Sequence, residues 1–285
     1  MTPFSLNIHG RLIEFDRPLV MGIINATPDS FYASSRHYDA LSVGNAASQM
    51  IADGADIIDL GCCSTRPGAD QVNEKEEISR LRSAMTEIRK EIGYDTLISV
   101  DTYRASVARI AVEEYGVSII NDISGGDIDP KMFETVAELH VPYILMHMRG
   151  TPATMSAFTD YAGNDVTAGV ISELSEKVRK LHLAGVSDII VDPGLGFAKT
   201  LDQNYELLRE LPAIEEAFQL PVLIGLSRKS MLTRLLDISA DEALEATVAA
   251  NMIALMQGAA ILRVHDVKAA RQSIRIFSHT FNHSC

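Results

Sequence analysis

Short apolar runs alternate with longer helical stretches along the whole chain, and this alternation constrains the fold more than any other feature. Eight runs rich in Val, Ile and Leu recur, each followed by a stretch with helical periodicity and a charged face. Such alternation is typical of parallel strands joined by helical crossovers. The predicted strands are 19–25, 56–61, 97–102, 118–124, 143–148, 188–194, 222–227 and 261–265.

The apolar spacing between these strands predicts helices, several of which begin at acidic residues or end at glycine. The predicted helices are 43–54, 74–92, 104–115, 131–140, 165–185, 201–211, 241–258 and a last one from 267 onward. The strands are nearly continuous apolar runs, as expected when protein covers both faces of a sheet. Because no linker or compositional break separates the units, we predict an α/β fold, a (β/α)8 TIM barrel in which residues 1–285 form one domain. A doubly wound open sheet is the alternative.

A glycine-containing hairpin at residues 6–15, turning at His9 and Gly10, precedes the first predicted barrel strand. Closed barrels leave their lower end open to water. We therefore expect this short N-terminal β-hairpin to cover the bottom of the barrel.

The charge balance excludes one large class of function. The 285 residues include 25 basic and 38 acidic side chains, a formal net charge of −13, whereas nonspecific nucleic-acid binders carry a basic excess. No apolar run reaches the roughly 18 residues of a membrane span, and the first ten residues lack signal-peptide features. Cys62, Cys63 and Cys285 form no CxxC pair. We expect a cytoplasmic protein with reduced thiols and neither nucleic-acid nor membrane partners.

Polar side chains lie at or just after the carboxyl end of every predicted strand. A single Asp or Asn in such a place is usually a helix cap or turn former. Polar residues after all eight strands instead predict an active site, because the carboxyl ends of barrel strands meet at one rim. These residues include Asn25, Asp59, Asp101, Asn121, His147, Asp192, Lys229, Arg263 and His265.

The rim combines cations that bind anions with carboxylates and amides that suit a flat heterocycle. The cations are Lys229, Arg263 and Arg66. The sequence contains no GxSxG, HExxH or glycine-rich phosphate loop, which argues against serine hydrolysis, zinc proteolysis and nucleotide-phosphate binding. A ligand with a planar polar end and an anionic end fits this pattern.

Seven motifs then identify a family. They are NATPDSF at 25–31, STRPGA at 64–69, SVDT at 99–102, NDI at 121–123, DPGLGF at 192–197, SRKS at 227–230 and RVHDV at 263–267. In this order they resemble the dihydropteroate synthases over nearly the whole chain. The resemblance implies a (β/α)8 barrel, a homodimer, Mg2+ as cofactor and membership of a family that sulfonamides target. It also implies that 6-hydroxymethyl-7,8-dihydropterin diphosphate and 4-aminobenzoate are joined to give 7,8-dihydropteroate and diphosphate.

The resemblance also implies roles for rim residues in binding the pterin. Asp192 would accept hydrogen bonds from the 2-amino group and ring N3–H, and Asn121 and Asp101 would hold other ring atoms. Lys229 would reach the pterin carbonyl and a ring nitrogen, and Phe197 belongs to the same substrate-binding set.

The remaining implied roles concern the leaving group and the second substrate. Arg263 and His265 would meet the diphosphate, and Asn25 would supply one oxygen ligand to Mg2+. The implied substitution is dissociative, so Asp101, Lys229 and Arg263 would act by stabilising charge rather than by forming a covalent intermediate. The residues expected around 4-aminobenzoate are Thr65, Arg66 and Ser230.

Two segments depart from the family pattern. Residues 32–37 replace a Ser-Asp-Gly-Gly-like stretch, and Cys62-Cys63 stands where Gly-Glu is usual. We interpret the cysteines as packing residues, His147 as a buried histidine rather than a catalytic base, and residues 74–77 as a solvated helix start.

Two other functions remain open on the sequence alone. A pterin-dependent methyltransferase shares the barrel and an Asp/Asn pocket, but it needs no Ser227-Arg228-Lys229 or Thr65-Arg66 segment. An inactive pterin-binding protein is the other alternative, suggested by the changed first loop.

Overall fold

The computed structural model describes residues 2–26, 36–63 and 72–281, with the backbone alone for residues 36–40. An antiparallel hairpin of β1 (Phe4–Ile8) and β2 (Arg11–Phe15) is followed by eight parallel strands. These are β3 (Leu19–Asn25), β4 (Ile57–Gly61), β5 (Leu97–Asp101), β6 (Ile119–Asp122), β7 (Tyr143–Met146), β8 (Ile189–Asp192), β9 (Leu223–Ile224) and β10 (Ile261–Val264).

The sheet closes into the predicted barrel. The strand order β8-β7-β6-β5-β4-β3-β10-β9 follows the chain sequence around the ring. A parallel bridge between Val191 and Val222, with Val191 N–H donating to the Pro221 carbonyl at 2.9 Å, joins β8 to β9. A doubly wound sheet would reverse its strand order at a switch point, so that alternative is excluded.

The helices pack around this barrel. They are α1 (Arg36–Ala52), α2 (Glu74–Ile92), α3 (Ala105–Tyr115), α4 (Met132–Leu139), α5 (Val166–Ala184), α6 (Leu201–Arg209), α7 (Leu211–Phe218), α8 (Ser230–Leu236), α9 (Leu244–Met256) and α10 (Val267–Phe281). Within the described ranges, none of the helices is long and apolar enough to cross a membrane.

The expected role of the hairpin is confirmed. It turns at His9 and Gly10, which both have positive φ. Leu6 and Ile8 are buried in one apolar cluster with residues near the amino ends of the barrel strands, including Ile57. The hairpin therefore removes this end of the barrel from water and leaves the opposite rim for chemistry.

Two local predictions are wrong, and one short helix was missed. Residues 201–211 contain the whole of α6 and the first residue of α7, because Pro212 lies in the first turn of α7, where a missing N–H is tolerated. The seven-residue α8 was not predicted as a helix. Glu77, expected in solvent, is 1% exposed and accepts from Thr102 Oγ1 at 2.7 Å while pairing with Arg104.

Candidate functional site

The carboxyl ends of neighbouring strands place three of the predicted residues side by side. Asn25 of β3, Gly61 of β4 and Asp101 of β5 lie in register, and Asp101 pairs in turn with Asn121 of β6. A Cβ at Gly61 would lie 3.3 Å from Asn25 Oδ1 and 3.9 Å from Asp101 Cβ. Because Gly61 has no side chain, the space between Asn25 and Asp101 remains open.

Arg263 connects strands across the inside of the barrel. Its Nε donates to Asp59 Oδ2 at 2.6 Å, and its Nη2 donates to Asp101 Oδ2 at 2.8 Å. Asn121 Nδ2 also donates to Asp59 Oδ2, at 3.2 Å. The structure thus brings together Arg263, Asp101 and Asn121, as the rim argument predicts, through a rim carboxylate to which the sequence assigned no binding or catalytic role.

Asp59 is that carboxylate, and it is fully buried. Its Oδ1 has no hydrogen-bond partner among the described residues. A charged side chain in the interior of an apolar strand is costly unless it is paired. Its position within the apolar run Ile57–Gly61 was therefore a sequence signal that Asp59 needs a charged partner, beyond its predicted place at the rim.

Burial and the closeness of several carboxylates shift the pKa values of the ionisable groups at the rim. Burial raises the pKa of Asp101 to about 7; Arg263 opposes this shift, while repulsion from Asp59 adds to it. Burial likewise raises the pKa of Asp192 and lowers the pKa of Lys229 to about 8, and the mutual attraction of these two groups opposes both shifts. Perturbed groups that gather in this way are typical of functional sites.

The loop after β8 presents Asp192 and encloses Lys229. Gly194 N–H donates to Asp192 Oδ1 at 2.7 Å. Lys229 Nζ donates to the Leu195 carbonyl at 2.6 Å and lies 4.8 Å from the centroid of the Phe197 ring. The loop that follows the Asp192 carboxylate therefore also contacts the Lys229 ammonium group, through the Leu195 carbonyl and the Phe197 ring.

An apolar wall adjoins these polar groups. Ile123, Met146 and Met148 form a buried cluster against which Phe197 packs, and Met146 is in register with Asp192. Flat heterocycles bind to walls of this kind when a few polar groups fix their orientation.

The other predicted residues lie at the edge or outside the described ranges. Ser230 is the first residue of α8 and is exposed, and His265 Nδ1 lies 3.0 Å from Ser227 Oγ. Thr65, Arg66 and the unusual residues 32–35 lie outside the described residues. Cys62 is 1% exposed and burial raises the pKa of its thiol to about 12, which agrees with packing rather than reactivity.

Known proteins resemble this chain closely. The sequence model of the family described as "Pterin binding enzyme" matches residues 21–265. Dihydropteroate synthase of Escherichia coli (strain K12) is 40% identical over 280 residues, which cover 98% of this chain and 97% of that protein. Dihydropteroate synthase of Bacillus subtilis (strain 168) is 43% identical over 270 residues, 94% and 90% of the two chains.

Solved structures of dihydropteroate synthases have the same fold as this chain. The Yersinia pestis dihydropteroate synthase, determined with a sulfonamide drug complex, has a TM-score of 0.89 at 36% identity and covers 98% of this chain and 100% of its own. The Xanthomonas albilineans dihydropteroate synthase, determined with 4-aminobenzoic acid, has a TM-score of 0.89 at 35% identity and covers 98% of both chains.

Proposed function

This chain belongs to the pterin-binding enzyme family and carries the dihydropteroate synthase activity of folate biosynthesis, and from this premise we propose how its rim residues divide the reaction. The substrates are 6-hydroxymethyl-7,8-dihydropterin diphosphate and 4-aminobenzoate, and the products are 7,8-dihydropteroate and diphosphate. One observation carries the assignment of roles: Gly194 holds the buried Asp192 carboxylate, which attracts the Lys229 ammonium group, and that ammonium group lies 4.8 Å from the centroid of the Phe197 ring.

In this proposal the pterin ring packs against the apolar wall formed by Ile123, Met146, Met148 and Phe197. Asp192 accepts from the 2-amino group and ring N3–H, and Asn121 contacts another ring atom. Lys229 donates to the pterin carbonyl. Two hydrogen bonds from one edge of the ring to one carboxylate fix the orientation of a planar ligand, as bidentate contacts do elsewhere.

The leaving diphosphate lies toward β10. Nε and Nη2 of Arg263 already donate to Asp59 and Asp101. In this proposal Nη1 therefore donates to the phosphate, and His265 contacts the same diphosphate. This arrangement holds Arg263 rigidly, so that little side-chain entropy is lost when the diphosphate binds.

The donors present fit Mg2+. Among the described residues no cluster of three His, Cys, Asp or Glu side chains could hold a metal by itself. Mg2+ nevertheless commonly takes one or two protein oxygens together with water and substrate phosphates, and Asn25 Oδ1 faces the open space beside Gly61. When bound, the ion would neutralise charge on the diphosphate.

Substitution occurs at the pterin methylene carbon. Its bond to the diphosphate oxygen breaks, the electron pair leaves with the diphosphate, and the pterin fragment becomes a cation next to the Asp101 carboxylate. The nitrogen of 4-aminobenzoate then forms the new C–N bond and loses a proton. The amine is already neutral at pH 7, so the protein contributes alignment and charge stabilisation instead of a strong base. Thr65, Arg66 and Ser230 surround the aminobenzoate in this proposal.

Coupled detection of released diphosphate tests the whole assignment. The assay contains the dihydropterin diphosphate, Mg2+ and the purified chain, with and without 4-aminobenzoate. We expect release that depends on 4-aminobenzoate and yields dihydropteroate. A methyltransferase or an inactive pterin-binding protein would release none, and that result would exclude the proposal.

The pKa values predict a narrow bell-shaped pH profile for kcat/KM. Below pH 7 Asp101 is protonated and loses the charge that stabilises the cation; above about pH 8 Lys229 loses its proton. We therefore expect kcat/KM to rise toward pH 7 and to decline above pH 8. In Asp101→Asn the rise on the acidic side should disappear at greatly reduced activity. If the wild-type rate stayed constant from pH 5 to pH 7, Asp101 would have no such role.

Three further expectations belong to the same proposal. Ile253 and Met256 of α9 and Ile276 of α10 are exposed apolar residues on helices that pack together, which supports a homodimer through this face; light scattering would measure it. We also propose a cytoplasmic location, with which the three cysteines agree because they offer no disulfide framework. Sulfonamide sensitivity would appear as inhibition that excess 4-aminobenzoate relieves.

A further inference from the structure

A group of charged side chains lies behind the loop after β8 and has no part in the proposed reaction. Lys199 is its centre. The Nζ atom of Lys199 lies 2.9 Å from the Gly194 carbonyl, 2.9 Å from the Phe197 carbonyl and 3.1 Å from His147 Nδ1. Burial lowers the pKa of Lys199 to about 7, so at pH 6 its ammonium group carries three donor hydrogens, and each of them meets one acceptor here.

These contacts determine the tautomer and the charge of the His147 ring. Because Nδ1 accepts from Lys199, the ring proton belongs on Nε2, which lies 3.1 Å from Glu173 Oε2. The His147 side chain is 2% exposed, and burial lowers its pKa to about 4, so the ring is neutral. Glu173 is paired with Arg149 on its other side. His147 is thus a fixed acceptor for Lys199.

Gly194 connects Lys199 to the pterin carboxylate. Its carbonyl accepts from Lys199, while its N–H donates to Asp192 Oδ1 at 2.7 Å. The φ of Gly194 is +69°, and a Cβ there would lie 2.0 Å from the His147 carbonyl oxygen. The peptide groups on both sides of this glycine are therefore held in one arrangement, and their orientation sets the orientation of Asp192.

The charge of Lys199, like its contacts with the loop, favours an ionised Asp192. Burial raises the pKa of Asp192, and Lys229, Arg263 and Lys199 are the cations that oppose this rise. A neutral side chain at position 199 would remove both a cation near Asp192 and the anchor of the Gly194 carbonyl.

We propose that Lys199 is a positioning residue: with His147 as its acceptor, it holds the Gly194–Phe197 backbone. The Asp192 carboxylate is then oriented toward the pterin edge before the pterin binds. The inference rests on the proposed function, because it assigns Asp192 to the pterin. Lys199 itself contacts the loop and not the substrate.

The decisive variant is Lys199→Met, which keeps a long apolar stem and removes the ammonium group. We expect calorimetry with 6-hydroxymethylpterin at pH 6 to give a Kd about 10- to 100-fold higher than in the wild type, the loss typical of a charge-assisted hydrogen bond. In steady-state assays KM for the dihydropterin diphosphate should rise by a similar factor while kcat changes little, because binding is lost equally from ground and transition states. A merely structural role would lower Tm and leave KM unchanged.

Lys177→Met is the matched control. Lys177 is also a partly buried lysine that donates to a backbone carbonyl, that of Ser124, and to a carboxylate, that of Asp127. It lies on α5 and has no contact with the loop after β8 among those described. We expect this variant to bind the pterin with wild-type Kd.

Two substitutions of His147 keep the test independent of the folding of Lys199→Met. Asn places an amide oxygen near the position of Nδ1 and can still accept from Lys199, whereas Gln places its polar atoms near Nε2 and toward Glu173. His147→Gln should therefore weaken pterin binding more than His147→Asn. Wild-type affinity in both Lys199→Met and His147→Gln would overturn the proposal. If the wild-type chain itself failed to bind the pterin, the proposed function would fail instead.

Discussion

Asp192→Ala is expected to weaken pterin binding about 1,000-fold, because truncating one partner of a buried charged pair costs roughly 2–5 kcal/mol. Asp192 is the group proposed to accept two hydrogen bonds from one edge of the pterin, and it is buried at the end of β8. Without it, the two N–H donors of the ligand would enter a water-poor pocket with no acceptor. Calorimetric titration with 6-hydroxymethylpterin measures the effect.

Asp188→Ala provides the control on the same stretch of chain. Asp188 directly precedes β8 at the opposite end of the barrel, where its Oδ1 accepts from Asn7 N–H at 3.0 Å. We expect this variant to keep the wild-type Kd for the pterin. If Asp192→Ala also kept it, the assignment of Asp192 to the pterin would be wrong.

Lys229→Ala should reduce kcat about 100- to 1,000-fold, the range found when a preorganised donor to developing charge is removed. Lys229 has its ammonium group fixed by the Leu195 carbonyl and the Phe197 ring. Because burial makes this cation unfavourable, its removal should not destabilise the fold. Thermal unfolding should therefore give a Tm near that of the wild type, while the diphosphate-release assay gives the loss in kcat.

Arg234→Ala tests whether that loss is specific. Arg234 is on the same short helix, α8, as the residues that follow Lys229, but it is exposed. The variant should turn over at the wild-type rate. Wild-type kcat in Lys229→Ala would remove Lys229 from the catalytic group.

The architecture was predictable because barrel strands carry a strong local signal. All eight barrel strands occur within the predicted runs, since burial on both faces makes each strand nearly continuously apolar. The division between α6 and α7 and the seven-residue α8 were missed, because one or two helical turns give too few residues to establish a period. Glu77 was misjudged for a similar reason: its acidic neighbours resemble a solvated helix start, and its partner Arg104 lies 27 residues further along the chain.

The rim of the site was predictable, but its internal bonding was not. Residues that follow parallel strands must converge, so Asp101, Asn121 and Arg263 could be placed together from their positions alone. Which of them share a hydrogen bond depends on side-chain directions inside the closed barrel. Asp59 illustrates this limit: it was seen at a strand end, yet its bonds to Arg263 and Asn121 span 204 and 62 residues of sequence.

The amino-acid sequence was enough to predict the alternation of strands and helices, the polar rim and, through its motifs, the family. These follow from local periodicity and from the rule that parallel strands end on one face. Only the folded arrangement shows that Arg263 is shared between two carboxylates, that burial raises the pKa of Asp101 to about 7, and that Lys199 and His147 meet behind the loop after Asp192. Burial and distance in space set those properties, and neither is written in the order of neighbouring residues.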